Sequence, residues 1–283
     1  MKWTVGTLVK RATEILRERG IKSARLDAEL LLAHSLKLKD RVSLYVNFEQ
    51  PLTDQEVEAY RQLIIRRAKG EPVAYITGKK EFFGFEFVVE KGVLIPRPET
   101  EILVEVAYER LKKTSGLKVI DVGTGSGCII LTLCKLLGKR HEYYGIDISG
   151  KALKIAEINK EKLGCPVSFI KSNLLEKINF PIDVIVSNPP YVPLEDKRLE
   201  KEVLKFEPAI ALFGGKDGLE VIRRLVLQSF EKLRPGGFIA LEVGEGQSER
   251  VKEILKSAGF TDISVFRDLS GTERVVTAEK GKE

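Results

Sequence analysis

The residues best equipped for chemistry are Asn188-Pro189-Pro190-Tyr191, which follow the strand-like stretch 182–186 and Ser187. Neither proline carries an N–H, and a residue before proline is held extended, so the segment offers acceptors in a fixed direction and almost no backbone donors. Such a corner suits an NH₂ group. The side-chain oxygen of Asn188 and the carbonyl of Pro189 can each take one of its hydrogens, with Pro190 holding the bend and Tyr191 covering one flat face of the nitrogen. An amide or aryl amine nitrogen is a poor nucleophile because its lone pair is delocalised. Acceptors that pull on its hydrogens favour the pyramidal, positively charged nitrogen of a transition state over the planar ground state. A tight strand-end turn without function is the plainer alternative.

A second constellation lies upstream. In DVGTGSG, residues 121–127, an apolar strand runs through Gly123, Thr124, Gly125, Ser126 and Gly127 into a helix at Cys128. Glycines let the backbone approach a ligand, and the helix start presents free N–H groups. The position that would complete the dinucleotide pattern GxGxxG is Cys128, and there is no GxxxxGK[ST] loop. The turn therefore suits a nucleotide-like cofactor without a pyrophosphate, unless it is structural only. Asp147, 20 residues after Gly127 and at the next strand end, can accept both hydroxyls of a ribose; otherwise it caps the following helix, a role for which Ser149 is better placed. Asn173 and Leu174, past the strand after that, would lie over the adenine edge.

The elements that position these residues repeat as strand and helix. From residue 99 the pattern predicts strands over 117–122, 142–147, 167–171, 182–187 and 238–243, separated by helices over 99–113, 126–138, 150–163, 217–233 and 247–258, with a closing ribbon near 261–267 and 273–279. The turn 234–237 precedes the fifth strand. This is an α/β, doubly wound and mostly parallel sheet to which the ribbon adds one antiparallel strand. Residues 76–98, with Phe83, Phe85 and Phe87 alternating around Gly84, read as a linking β-hairpin, and residues 1–75 as a small helical bundle with a capping box at Thr53 and Glu56. The α/β domain is placed at 99–283. Phe83 is either a substrate contact or core packing. Arg97, between two prolines, faces a cofactor carboxylate or substrate, or pairs with Glu99 or Glu101. His34 and His141 read as surface residues.

Charge separates the two parts. Residues 1–80 hold 16 Lys and Arg against 10 Asp and Glu, while the remainder holds 31 of each, so the whole +6 lies at the N-terminal end. A basic module beside a neutral one suggests docking on a polyanion or an acidic protein surface, against the alternative of a solvated helical face. No apolar run approaches the ~18 residues of a bilayer span and the first 20 residues lack a signal-peptide block, so neither membrane insertion nor secretion is expected. Three cysteines without a CxxC pair assemble no zinc site and fit a reducing cytoplasm. No Ser-His-Asp set or carboxylate pair supports hydrolysis.

In order and spacing, DVGTGSG, Asp147 and NPPY resemble the class I S-adenosylmethionine-dependent methyltransferases that alkylate planar NH₂ groups, a likeness covering residues 99–280 that implies a seven-stranded sheet. NPPY alone leaves adenine-N6 DNA and guanine-N2 RNA methyltransferases open. Over nearly the whole chain, however, EPVAYITGKKEFFGFEF, LIPRPETE and EPAIALFGGKDGL, with the helical bundle, resemble the release-factor glutamine methyltransferases. That resemblance implies methyl transfer to the side-chain amide nitrogen of the glutamine in the Gly-Gly-Gln loop of class I peptide chain release factors. By it, Asn188 and Pro189 hold the amide, and Gly123 to Gly127 with Asp147 hold S-adenosyl-L-methionine. At Asn173-Leu174 the family's usual Asp before an aromatic is absent. A cytoplasmic monomer without a stable nucleic-acid partner is expected.

Overall fold

In the computed structural model, which describes residues 2–196 and 199–282, Thr4 opens α1 (Val5–Glu18) through a reciprocal cap with Thr7. Val5, Leu8, Val9, Ala12 and Leu16 recur at helical spacing and are buried, and the helix ends at Gly20 with φ +79°. They pack on α2 (Ala24–Ser35) and α4 (Asp54–Ala68). The expected capping box starts α4: the Thr53 N–H donates to Glu56 Oε2 at 2.8 Å while Glu56 N–H donates to Thr53 Oγ1 at 3.3 Å. Two buried polar links then join α4 to α2, Arg67 Nε to Asp27 Oδ2 at 2.7 Å and the Tyr60 hydroxyl to the Ala28 carbonyl at 2.9 Å. Two short helices, α3 (Ser43–Val46) and α5 (Val73–Thr77), add to the expected bundle. These elements form one compact unit, Met1–Lys79, and the remainder forms a second, Lys80–Glu283.

The hairpin forms as read, with β1 (Lys79–Phe82) and β2 (Phe85–Val88). Its turn places Phe83 and Gly84 at φ +51° and +75°, the two successive positive φ values that match strand twist. Such a φ is uncommon for Phe, and the Phe83 N–H is held by Glu101 Oε1 at 2.7 Å. The segment read as a linker contributes core to the second unit: Phe82 and Phe87 are buried with Leu103 and Val104 of α6 (Glu101–Leu111), and Phe83 and Phe85 pack against the same cluster.

Seven strands form the sheet, in the order β5-β4-β3-β6-β7-β9-β8. β3 (Lys118–Val122), β4 (Glu142–Asp147), β5 (Val167–Lys171), β6 (Ile182–Ser187) and β7 (Leu233–Glu242) run parallel. Val119, Ile120, Val184 and Ile185 are buried on both faces because helices cover each side. α7 (Cys128–Leu137) and α8 (Gly150–Leu163) follow β3 and β4, and α11 (Glu220–Lys232) and α12 (Ser248–Ser257) flank β7. β8 (Phe260–Arg267) and β9 (Glu273–Lys280) are the ribbon, with β9 antiparallel between β7 and β8. The turn expected at 234–237 lies inside β7: Leu233 pairs with Ile182, then Arg234 to Gly237 bulge out before Phe238 pairs with Val184. Two further short helices, α9 (Lys201–Phe206) and α10 (Ala209–Leu212), lie between β6 and α11. No helix among the described residues is long and apolar enough to cross a membrane.

Candidate active site

At the carboxyl ends of β3, β4 and β6, where an open α/β sheet reverses its strand order, lies a cavity of about 270 Å³. It brings together Gly123, Thr124, Gly125 and Ser126 from the glycine turn, Asp147 from β4, Asn173 and Leu174 past β5, Asn188 and Pro190 past β6, and Arg97. Four singled-out residues lie elsewhere. Gly127 sits behind the turn, where an added Cβ would lie 2.8 Å from Leu131 Cδ1 and 3.3 Å from the Ala156 methyl. Pro189 is buried outside the cavity lining, Phe83 belongs to the hairpin turn, and Tyr191 turns toward Glu242.

The glycine turn needs its glycines. Gly123, Gly125 and Gly127 have φ of +76°, +57° and +81°, a region side chains rarely enter. A Cβ at Gly125 would meet no protein atom within 4 Å, so the backbone is bare for a ligand to approach. Asp147 Oδ2 accepts from the Gly125 N–H at 2.9 Å and Oδ1 from the Ser149 N–H at 2.8 Å. Burial raises the Asp147 pKa and these N–H groups oppose it. Ser149 itself caps α8, its Oγ accepting from the Ala152 N–H at 3.2 Å, so Asp147 is not needed as the cap. Beneath the turn, Asp121 of β3 is fully buried. Burial pushes its carboxyl up to about 7, against the Thr124 hydroxyl that donates to Oδ2 at 2.6 Å, and Oδ1 has no hydrogen-bond partner.

The corner after β6 is anchored on three sides. The Ser187 hydroxyl donates to the Val122 carbonyl at 2.5 Å, joining the corner to the glycine turn. Asn188 Nδ2 donates to Thr100 Oγ1 at 3.1 Å, and no described protein group donates to Asn188 Oδ1, which is therefore free as an acceptor. The Tyr191 hydroxyl donates to Glu242 Oε1 at 3.2 Å, and the Tyr191 carbonyl accepts from Gln247 Nε2 at 2.9 Å. Glu242 is 1% exposed; burial pushes it up to about 7, against the hydroxyls of Thr100 and Tyr191 beside it. From behind, the loop at 214–218 presses on the corner: a Cβ at Gly214 would lie 2.4 Å from the Pro190 carbonyl oxygen, and one at Gly218 2.3 Å from that of Tyr191.

Arg97 pairs neither with Glu99 nor with Glu101. Its Nη2 meets Glu207 Oε1, while Glu207 Oε2 accepts the Ile95 N–H at 3.2 Å, so a buried carboxylate holds the guanidinium at the cavity edge. Thr100, Glu242 and Glu207 are functional candidates that sequence reading missed, because each meets its partner only through tertiary folding; EPAIALFGGKDGL contained Glu207 but gave it no role. His141, read as a surface residue, is 7% exposed and accepts the Leu117 N–H on Nδ1 at 3.4 Å.

These donors and walls fit a nucleoside carrying a charged amino-acid tail. The Asp147 oxygens retain lone pairs for a diol, Ile146, Ile148 and Leu174 supply apolar surface for a base, and Arg97 can meet a carboxylate.

Fold and site together define a class I methyltransferase. A family profile described as a PrmC N-terminal domain matches residues 7–78, and one described as a methyltransferase domain matches residues 113–263. A release factor glutamine methyltransferase from Geobacter sulfurreducens is 42% identical over 281 residues, covering 99% of this chain and 98% of that protein. One from Koribacter versatilis is 44% identical over 261 residues, covering 91% and 92%. The chain belongs to the release factor glutamine methyltransferase family. Among solved structures, a methyltransferase from Pyrococcus furiosus aligns at TM-score 0.54 and 20% identity over 78% of this chain and 98% of that one. The 16S rRNA N2 G1207 methyltransferase of T. thermophilus, solved with AdoMet and guanosine, aligns at 0.53 and 20% over 71% of this chain and 49% of that one. At that identity both speak to the fold alone.

Proposed function

We propose that this protein transfers a methyl group from S-adenosylmethionine to the side-chain amide nitrogen, N5, of the glutamine in the Gly-Gly-Gln loop of class I peptide chain release factors. Family membership supports the substrate, and one observation carries the chemistry: Asn188 borders the cavity with an amide N–H bonded to Thr100, which leaves its Oδ1 to serve as an acceptor.

When bound, S-adenosylmethionine supplies a methyl group on a positively charged sulfur, open to displacement from the opposite side. Asp147 holds the ribose hydroxyls, the bare turn at Gly123 to Gly127 lets the backbone close on the cofactor, and Arg97 meets its carboxylate. Asn173 and Leu174 border the base. Asn188 Oδ1 takes one hydrogen of the glutamine amide. The Pro189 carbonyl, the second acceptor that the family likeness implies, lies outside the lining and would take the other only once the substrate seats; the pair draws the amide toward pyramidal geometry as its nitrogen attacks. Most of the rate comes from this positioning and charge stabilisation, and no general base is needed before attack because the alkylated nitrogen is strongly acidic. The helical unit docks the protein substrate, which the enzyme meets as a cytoplasmic monomer without a stable nucleic-acid partner.

The test supplies labelled S-adenosylmethionine with purified release factor, the same factor with its loop glutamine replaced by alanine, duplex DNA, and ribosomal RNA. Label should appear only on the intact factor, on one glutamine by mass spectrometry. Label on nucleic acid and none on the factor would overturn the proposal.

A further inference from the structure

Asn188 borders the cavity, and its amide nitrogen is bonded to Thr100. A carboxamide is nearly symmetric in shape, so packing alone cannot choose between its two orientations; the hydrogen-bond network must. If the group flipped, Nδ2 would face the substrate NH₂, setting donors against donors. The choice falls to Thr100. Its Oγ1 accepts from Asn188 Nδ2 at 3.1 Å, and Thr100 is 2% exposed, leaving little access to water. Having accepted from Asn188, the hydroxyl has its own proton left to donate, and the carboxyl beside it belongs to Glu242, whose Oε2 lacks a hydrogen-bond partner while Oε1 receives the Tyr191 hydroxyl at 3.2 Å. Glu242 ends β7, Thr100 precedes α6, and Asn188 and Tyr191 follow β6, so the three elements converge behind the corner.

We propose that Thr100 and Glu242 are positioning residues that fix the carboxamide orientation of Asn188: Glu242, whose Oε1 holds the Tyr191 hydroxyl, offers Oε2 to the Thr100 proton, so that Thr100 Oγ1 is left to accept from Asn188 Nδ2 and has no proton for a flipped Oδ1. This deepens the assignment of the corner as the amide-binding site and rests on it. Glu242 lies outside the cavity lining and Thr100 borders it beside Asn188; in this scheme both act through Asn188.

The experiment compares Thr100→Val, Thr100→Ser and Asn188→Ala in the full-length enzyme, measuring kcat and KM for release factor and cofactor affinity by calorimetry. Val keeps the volume and loses the hydroxyl, whereas Ser keeps the hydroxyl and loses the methyl. Positioning predicts that Thr100→Val lowers kcat by about ten- to a hundred-fold with cofactor affinity within about two-fold, and that Thr100→Ser stays within about three-fold of the parent. A packing role predicts the reverse order, since Ser leaves the larger void, and that order would overturn the proposal. Glu242→Gln supplies the second arm. It keeps an acceptor for one hydroxyl and not reliably for both, so kcat should fall while KM and cofactor affinity hold; an unchanged kcat would remove Glu242 from the scheme. Asn188→Ala separates the two levels. If it is inactive while Thr100→Val is fully active, only the orientation scheme fails; if Asn188→Ala is itself active, the assignment of the corner fails.

Discussion

At the scale of single residues, burial and polarity are in tension around the cavity. Asp147 is half-buried and lines a ligand-sized space, and its oxygens already hold Gly125 and Ser149 N–H groups. Charge-assisted bonds from a ribose diol to such a carboxylate contribute about 1.5–3 kcal/mol each. Asp147→Ala should therefore raise the cofactor Kd by at least ten-fold in calorimetry, and an unaltered Kd would remove the ribose assignment. Asp121 has a different consequence. Its carboxyl is raised from an ordinary 3.8 to about 7 by burial, so the neutral form is the one the fold favours. That contribution is complete below about pH 4 and is lost as pH climbs through about 7. Asp121→Asn, neutral throughout, should gain stability relative to the parent between pH 5 and pH 8, by an amount on the order of 2 kcal/mol. Urea denaturation at both pH values reads the difference, and equal differences would contradict the account.

At the scale of elements, what the sequence discloses is what is local. β3, β4, β5 and β6 were legible almost to the residue because each is a short apolar run bounded by charge, glycine or proline, and the glycine turn, Asp147 and NPPY each lie at the end of such a run. The Thr53 box was legible for the same reason, and Thr53→Ala should cost about 1 kcal/mol of stability by chemical denaturation. The direction of Tyr191 was not legible. Alternation along a strand stops at a proline corner, and Glu242, which receives its hydroxyl, is 51 residues away. Phe83 misleads for a related reason: its alternation with Phe85 and Phe87 marks a strand face, but it sits in the turn at positive φ. The loop at 214–218 was equally silent, since its glycines matter through what lies across from them. Gly214→Ala would drive a Cβ toward two backbone oxygens, those of Pro190 and Gly218, each 2.4 Å away. Methyl transfer should fall at least ten-fold, with a drop in Tm and little change in cofactor Kd; wild-type activity would show that the corner tolerates movement.

At the scale of the whole molecule, the excess charge belongs almost wholly to the helical unit, while the α/β unit carries the cavity. If the basic unit docks a protein surface of opposite sign, raising salt from about 0.05 to 0.3 M shortens the screening length and should raise KM for release factor several-fold, leaving cofactor Kd unchanged. A salt-independent KM would mean the charge is only a solvated face. The division of labour within the α/β unit is the claim on which the rest depends: one wall binds cofactor, and the corner after β6 activates the amide. Single-turnover methyl transfer by Asn188→Ala, with cofactor affinity measured on the same preparation, tests it most directly. The expected result is loss of transfer by about three orders of magnitude with Kd within about three-fold of the parent, whereas comparable losses in transfer and in binding would contradict it.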